Sequence, residues 1–352
     1  MATILGAFAC GGDKSTTPTG PTSPNSPTTP TGLTVPPLRD AAQSAGKLVG
    51  AAVQSGLLGD GRYSGVLGRH FNYLTAEYEM KMATIAQSPG VDNFSPGDAI
   101  VGFALGTGMR VKGHALVWHG SVPSWVDALP AAELRATVDT YIRNVVTHYR
   151  GQVMAWDVVN EAVADDGSGL RDTVFRRKLG DGYIADAFRA ARQADPSAKL
   201  IYNDYGGEGL NGKSNRIYDL LRSLLAQGVP IDGVGLQMHI SAANPPSAAS
   251  VAANVRRLAD LGLAVNISEM DVRIRDAPGP LQSRLELQKS VYKSLVGVCV
   301  DEPRCDAITF WGFTDAYSWI DNRFGPDDPL LFDDQYAAKP AFFGVWEALL
   351  RR

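Results

Sequence analysis

Apolar residues along this chain alternate between two periods. Short continuous runs such as QVMAWDVVN (152–160), KLIYN (199–203) and residues 263–269 have the length and composition of buried strands. Between them the apolar positions recur every three or four residues. After Pro130, one helical face collects Leu134, Val138, Tyr141, Ile142, Val145 and Tyr149, and Gly151 ends the helix. Residues 183–194 predict a helix stopped at Asp195-Pro196. Residues 214–227 predict another, with Ile217, Leu220, Leu221, Leu224 and Leu225 inward and Gly228 as its stop, followed by a strand over 231–239. Helices are expected over 251–261 and 281–300, and a strand over 307–313. Repeated strand-then-helix order predicts an α/β fold, a parallel sheet with helices outside.

An open doubly wound sheet shares that order with a closed barrel, so periodicity does not choose between them. The polar residues do. Strand runs end at Thr75-Ala76-Glu77, His114 through His119, Asn160-Glu161, Asn203-Asp204, Gln237 through His239, Glu269 through Asp271, and Trp311. Chemistry gathered at strand ends from all along a chain is barrel geometry, because sites of (β/α)8 barrels lie on the C-terminal face. A single (β/α)8 TIM barrel over 38–352 is therefore expected. No G-x-G-x-x-G run follows the first strand and no P-loop occurs, which argues against nucleotide binding.

Residues 15–37 (STTPTGPTSPNSPTTPTGLTVPP) hold little that a core could bury, and read as a disordered linker. Residues 1–14 resemble a signal segment. Small residues precede Cys10, as in bacterial lipoprotein signals whose cysteine is acylated. A basic n-region is missing, the apolar stretch is short and Phe8 stands where a small residue is usual, so a mis-assigned start or a truncated ordinary signal is the other reading. Cys299 and Cys305 either close a small loop, worth roughly 2 kcal/mol, or remain reduced. Signal and disulfide candidate together lead us to expect export, to the extracellular space or tethered to the cell envelope through a lipid anchor at Cys10. A net charge of −4, with Lys and Arg scattered, argues against a nucleic-acid partner. A monomer is expected.

Two carboxylates stand out. WDVVNEA (156–162) ends a buried run in Asn160-Glu161, and NISEMDV (266–272) supplies Glu269 three strands later. Glycosidic cleavage needs one carboxyl group to protonate the leaving oxygen and another, ionised, to attack the anomeric carbon. Trp118, Trp125, Trp156, Trp311 and Trp319 all fall at or near these motifs, which suits a sugar cleft, with Trp125 and Trp156 read as core. His119 reads as a satisfied structural histidine, and Glu79 and Asp204 as loop-holding residues. No metal is expected: His114, His119 and His239 lack the spacing of a zinc site.

GHALVWHGSVPSWV (113–126), WDVVNEA, NDYG (203–206), VGLQMHI (234–240), ISEMDVR (267–273) and ITFWGFTDAYSWI (308–320) occur in an order that resembles glycoside hydrolase family 10. The resemblance covers residues 38–352 and implies a retaining (β/α)8 barrel without a cofactor, an endo-1,4-β-xylanase whose partner is xylan or a xylo-oligosaccharide. It implies Glu161 as acid/base and Glu269 as nucleophile. Asn160 would bind the 2-hydroxyl, and His239 would hold the nucleophile with Gln237 on the same strand. His114 and Trp118 would contact the proximal glycone sugar, Trp311 and Trp319 would form aromatic walls, and Glu77 and Lys81 would make glycone polar contacts. Asp271 would either tune Glu269 or His239 or cap a loop. Departures from the family pattern lie in the distal glycone region. Tyr78 stands where asparagine is usual, Ser121 where glutamine is usual, and Met82 where tryptophan is expected. An altered distal subsite is expected, which leaves another β-glycan open as substrate. A non-catalytic carbohydrate-binding protein would have lost a carboxylate.

Overall fold

Eight strands pair in parallel, each with the next: β1 (Leu48–Val53), β2 (Tyr73–Ala76), β3 (Arg110–Trp118), β4 (Val153–Asn160), β5 (Lys199–Asp204), β6 (Gly233–Leu236), β7 (Ala264–Arg273) and β8 (Cys305–Phe310). β8 returns to β1 through Leu48↔Ala307 to Ala51↔Phe310, so the sheet closes on itself as the expected (β/α)8 barrel. This computed structural model describes residues 37–351. The signal segment, Cys10 and all of the linker but Pro37 lie outside the described residues.

The strands are buried nearly end to end because side chains fill the barrel on one face and helices cover the other. Helix Ala131–His148 starts after Pro130 and buries Leu134, Val138, Tyr141, Ile142 and Val145, the face its periodicity predicts. Helix Tyr183–Ala194 keeps the predicted bounds. Among the described residues no helix is long and apolar enough to cross a membrane.

Several details differ from expectation. The strand expected over 231–239 is broken: β6 stops at Leu236, Met238 adopts a φ of 65°, and a short strand His239–Ser241 pairs afresh with β7. β7 consequently runs on to Arg273, first beside β6 and then beside the new strand. β8 ends at Phe310 because Gly312, with a φ of 99°, turns the chain there. Helix Gly212–Ala226 buries Ile217, Leu221 and Leu224, whereas Leu220 and Leu225 flank that stripe half-buried. Trp125 is half-buried and donates its indole N–H to the Ala86 carbonyl at 3.0 Å rather than filling the core. Trp156 is core, lying across Gly113 on β3, where an added Cβ would meet its ring at 2.1 Å. Cys299 and Cys305 are disulfide-bonded.

Candidate active site

Glu161 directly follows β4. Its φ of 59° is one that few non-glycine residues adopt, a strain of about 1–3 kcal/mol that needs support. Support comes from both sides of the peptide: its N–H donates to the Asn203 carbonyl at 2.8 Å, and Arg171 Nε donates to its carbonyl at 3.0 Å. Glu269 sits within β7, where pairing with β6 ends, and its N–H donates to the Gln237 carbonyl. Both carboxyl groups face one cleft of about 540 Å³ at the C-terminal mouth of the barrel, together with Tyr78, Lys81, His114, Trp118, Asn160, Gln237, His239, Trp311 and Trp319.

A chain of amides links the two acids. Asn203 Nδ2 donates to Glu269 Oε1 at 2.6 Å and to Asn160 Oδ1 at 2.8 Å; Asn160 Nδ2 in turn donates to Glu161 Oε1 at 3.1 Å. Gln237 Nε2 donates to the same Glu161 oxygen at 3.1 Å, and Trp118 Nε1 to the other at 2.8 Å. Asn203 was placed at a strand end by the sequence but not read as a site residue. Its Oδ1 accepts from Ser268 Oγ at 2.6 Å and lies over Gly235, whose missing side chain makes the room: a Cβ there would stand 2.1 Å from that oxygen. Gly235→Ala should therefore swing the Asn203 amide away from Glu269. A misplacement of this kind costs about 10²-fold in kcat/KM, with the melting temperature reporting separately on the fold.

The surroundings of the two acids differ. Burial opposes ionisation of Glu269, but His114, the hydrogen bond and charge of His239, and Lys112 outweigh it and hold the carboxyl at about 2. Burial likewise opposes a charge on His239, yet Asp271 and Glu269 on its two ring nitrogens, at 2.7 and 3.2 Å, raise it to about 10. Asp271 also accepts the Trp319 indole N–H at 2.8 Å, so it orients His239 and a cleft wall rather than capping a loop. The Glu269 carboxyl lies below its ordinary value of 4.5, so it stabilises the fold above that pH and the contribution fades as pH falls toward about 2. The His239 contribution is complete below 6.5 and is lost as pH rises through about 10. His239→Asn removes a cation from Glu269, and the acidic limb of kcat/KM should move to higher pH. A limb that stays in place would show that His239 does not govern this carboxyl.

Beneath the floor lies a pair that the sequence reading missed. Lys112 Nζ and His114 Nδ1 both bind Asp157 Oδ2, at 2.8 and 2.9 Å. A lysine inside the buried run VKGHAL was the available signal, since such a charge needs a partner. His114, Asp157 and Glu269 present ligand-type atoms within 4.8 Å of one another, with Lys112 supplying a cation at that spot.

On the opposite wall the Lys81 ammonium stands 4.6 Å from the Trp118 ring centre, 5.0 Å from Tyr78 and 5.8 Å from Trp311. Burial lowers its pKa, against the pull of Glu269, Glu77, Glu161 and Glu79. Glu77, raised by burial, accepts from Gln54 Nε2 at 3.1 Å. Glu79 accepts the Ser55 and Tyr78 backbone N–H groups, and Asp204 binds Lys213 and the Tyr202 hydroxyl, so both hold loops. His119 is not the satisfied histidine expected: its Nδ1 is buried without a partner, and its Nε2 lies 4.0 Å from Glu161. Ser121 lies outside the cleft lining and accepts weakly from the Ala83 N–H at 3.4 Å, and Met82 is buried.

A larger groove of about 650 Å³ lies between helices Ala131–His148 and Tyr183–Ala194. Its two acids, Asp139 and Asp186, are ion-paired with Arg143 and Arg135, and no tryptophan lines it.

Residues 37–348 match the profile described as "Glycosyl hydrolase family 10". The chain is 42% identical over 293 residues to endo-1,4-beta-xylanase B of Thermotoga neapolitana, spanning 82% of this chain and 83% of that protein. It is 39% identical over 310 residues to an endo-1,4-beta-xylanase of Agaricus bisporus, spanning 87% and 92%. Among solved structures, xylanase 10B from Thermotoga petrophila in complex with xylobiose superimposes with a TM-score of 0.86 at 40% identity, covering 89% of this chain and 97% of that one.

Proposed function

The chain belongs to glycosyl hydrolase family 10, and from that membership and the cleft geometry we propose that it is an endo-1,4-β-xylanase acting with retention of anomeric configuration. The observation that carries the mechanism is the pairing of unlike acids over one barrel mouth. Glu269 is enclosed by cationic groups that keep it ionised, and Glu161 is met by neutral donors. In the first step a Glu269 oxygen forms a bond to the anomeric carbon, and Glu161 gives its proton to the departing glycosidic oxygen. In the second step Glu161 takes a proton from water as that water displaces Glu269, restoring both acids. To Asn160 we assign the 2-hydroxyl beside the nucleophile, and to Trp311 and Trp319 the apolar faces of xylose, a reading supported by their place in the cleft lining.

Reducing-sugar release from xylan tests the activity, and the first-formed anomer by proton NMR tests the stereochemistry. A β product is expected; an α product, or no release, overturns the reading.

The distal glycone subsite is proposed to differ from the usual family arrangement. Tyr78 is 45% exposed at the cleft edge and sets a ring where an amide would make hydrogen bonds. Tyr78→Asn is expected to change KM for xylotetraose about fivefold, the scale of one hydrogen bond. Identical KM values and cleavage patterns would remove that role. Export is proposed as well, supported by the Cys299–Cys305 disulfide.

A further inference from the structure

The cleft is acidic at its centre and basic at one end. Arg273, the last residue of β7, and Arg323 line that end with Trp319 and Phe324. The guanidinium of Arg273 lies 4.0 Å from the centre of the Phe324 ring and that of Arg323 5.9 Å from it, so both flank one aromatic surface. A contact path leads from there to the reacting centre. The Trp319 ring is 5.9 Å from Phe324 and 4.8 Å from His239, which binds Glu269. Along β7, Arg273 lies four residues beyond Glu269, about 13 Å at the usual strand rise.

Among the described residues neither guanidinium forms an ion pair or a side-chain hydrogen bond, although acids are close in sequence. Those acids are engaged elsewhere: Asp321 accepts the Asp327 N–H, Asp327 accepts the Ile274 and Arg275 N–H groups, and Asp276 faces Arg275. Arg273 is half-buried and Arg323 exposed, so one is held against the wall while the other is open to solvent. In a chain of net charge −4, two arginines without an acidic partner line the substrate cleft and leave a local positive potential there. Guanidinium groups present paired N–H donors in the geometry of a carboxylate.

We propose that Arg273 and Arg323 form a site for the carboxylate of a uronic-acid substituent on the xylan backbone, so that the enzyme favours acidic over neutral chain at this end of its cleft. The proposal rests on the xylanase reading above. It adds a charge-recognising subsite, which the neutral sugar contacts do not require.

The test compares kcat/KM on three substrates: a linear xylo-oligosaccharide, the same backbone bearing one glucuronic acid, and the methyl ester of that acid, which keeps the bulk and loses the charge. Wild type should prefer the acid over the ester about fivefold, the discrimination expected of a partly exposed charge pair. The preference should shrink in 0.5 M salt, as ionic screening requires. In Arg273→Gln/Arg323→Gln the ratio of acid to neutral substrate should fall to the ratio wild type shows for the ester. Equal wild-type rates on acid and ester overturn the proposal without recourse to any variant, and so does an unchanged ratio in the double variant. An enzyme inert on the neutral oligosaccharide overturns instead the xylanase reading on which the proposal stands.

Discussion

Replacement of Glu269 by alanine is expected to lower kcat on xylan by about 10⁵-fold, the loss seen when a covalent nucleophile is removed from an otherwise intact site. The substitution also leaves His239 and Asn203 facing a gap where an anion stood. Azide should enter that gap. It would bond to the anomeric carbon from the face the carboxylate vacated, while Glu161 protonates the leaving oxygen, giving an α-xylosyl azide. Activity within tenfold of wild type, or a rescued product of β configuration, would remove Glu269 from the nucleophile's role.

The second large effect concerns Glu161. Glu161→Ala should lose about 10²–10⁴-fold on xylan, whose sugar leaving group needs a proton. On an aryl xylobioside with a good leaving group the first step no longer needs that proton. Bond formation to Glu269 should then stay fast, and attack by water, now without its base, should become slow. The measurable consequence is a burst of aryl alcohol equal to the enzyme concentration, followed by a slow steady state. Azide should accelerate the slow phase and give the β azide, the opposite anomer from the Glu269 variant. If no burst forms and azide leaves the slow phase unchanged, another group is the acid/base.

Much of this was readable in one dimension. Strand and helix order follows from apolar periodicity, and helices Ala131–His148 and Tyr183–Ala194 appear where that periodicity places them. The placing of polar residues after buried runs pointed to a barrel mouth, because a parallel barrel delivers every strand end to one face. The departures from the expected elements share a cause. Residues 237–239 leave the β6 ladder because Met238 takes a left-handed turn, and no apolar pattern encodes a φ angle.

Other features depended on proximity between distant positions. Asp157 and Lys112 are 45 residues apart, and neither motif names the other, yet adjacent strands bring them to 2.8 Å. Asn203 and Gly235 act together only because β5 and β6 are neighbours, so that the glycine's missing Cβ leaves room for the amide that reaches Glu269. Arg273 and Arg323 were unremarked charges in the sequence, and meet around Phe324 only in the folded chain.

From the sequence alone came the fold class, the order of its elements and the identity of two acids at strand ends, since these depend on residue type and local spacing. Tertiary structure decided which cations enclose Glu269, which amides join it to Glu161, and which arginines remain unpaired. Electrostatic and hydrogen-bonding environments are set by separations of a few ångströms between residues far apart in the chain, and strand pairing and loop packing in the folded barrel determine those separations.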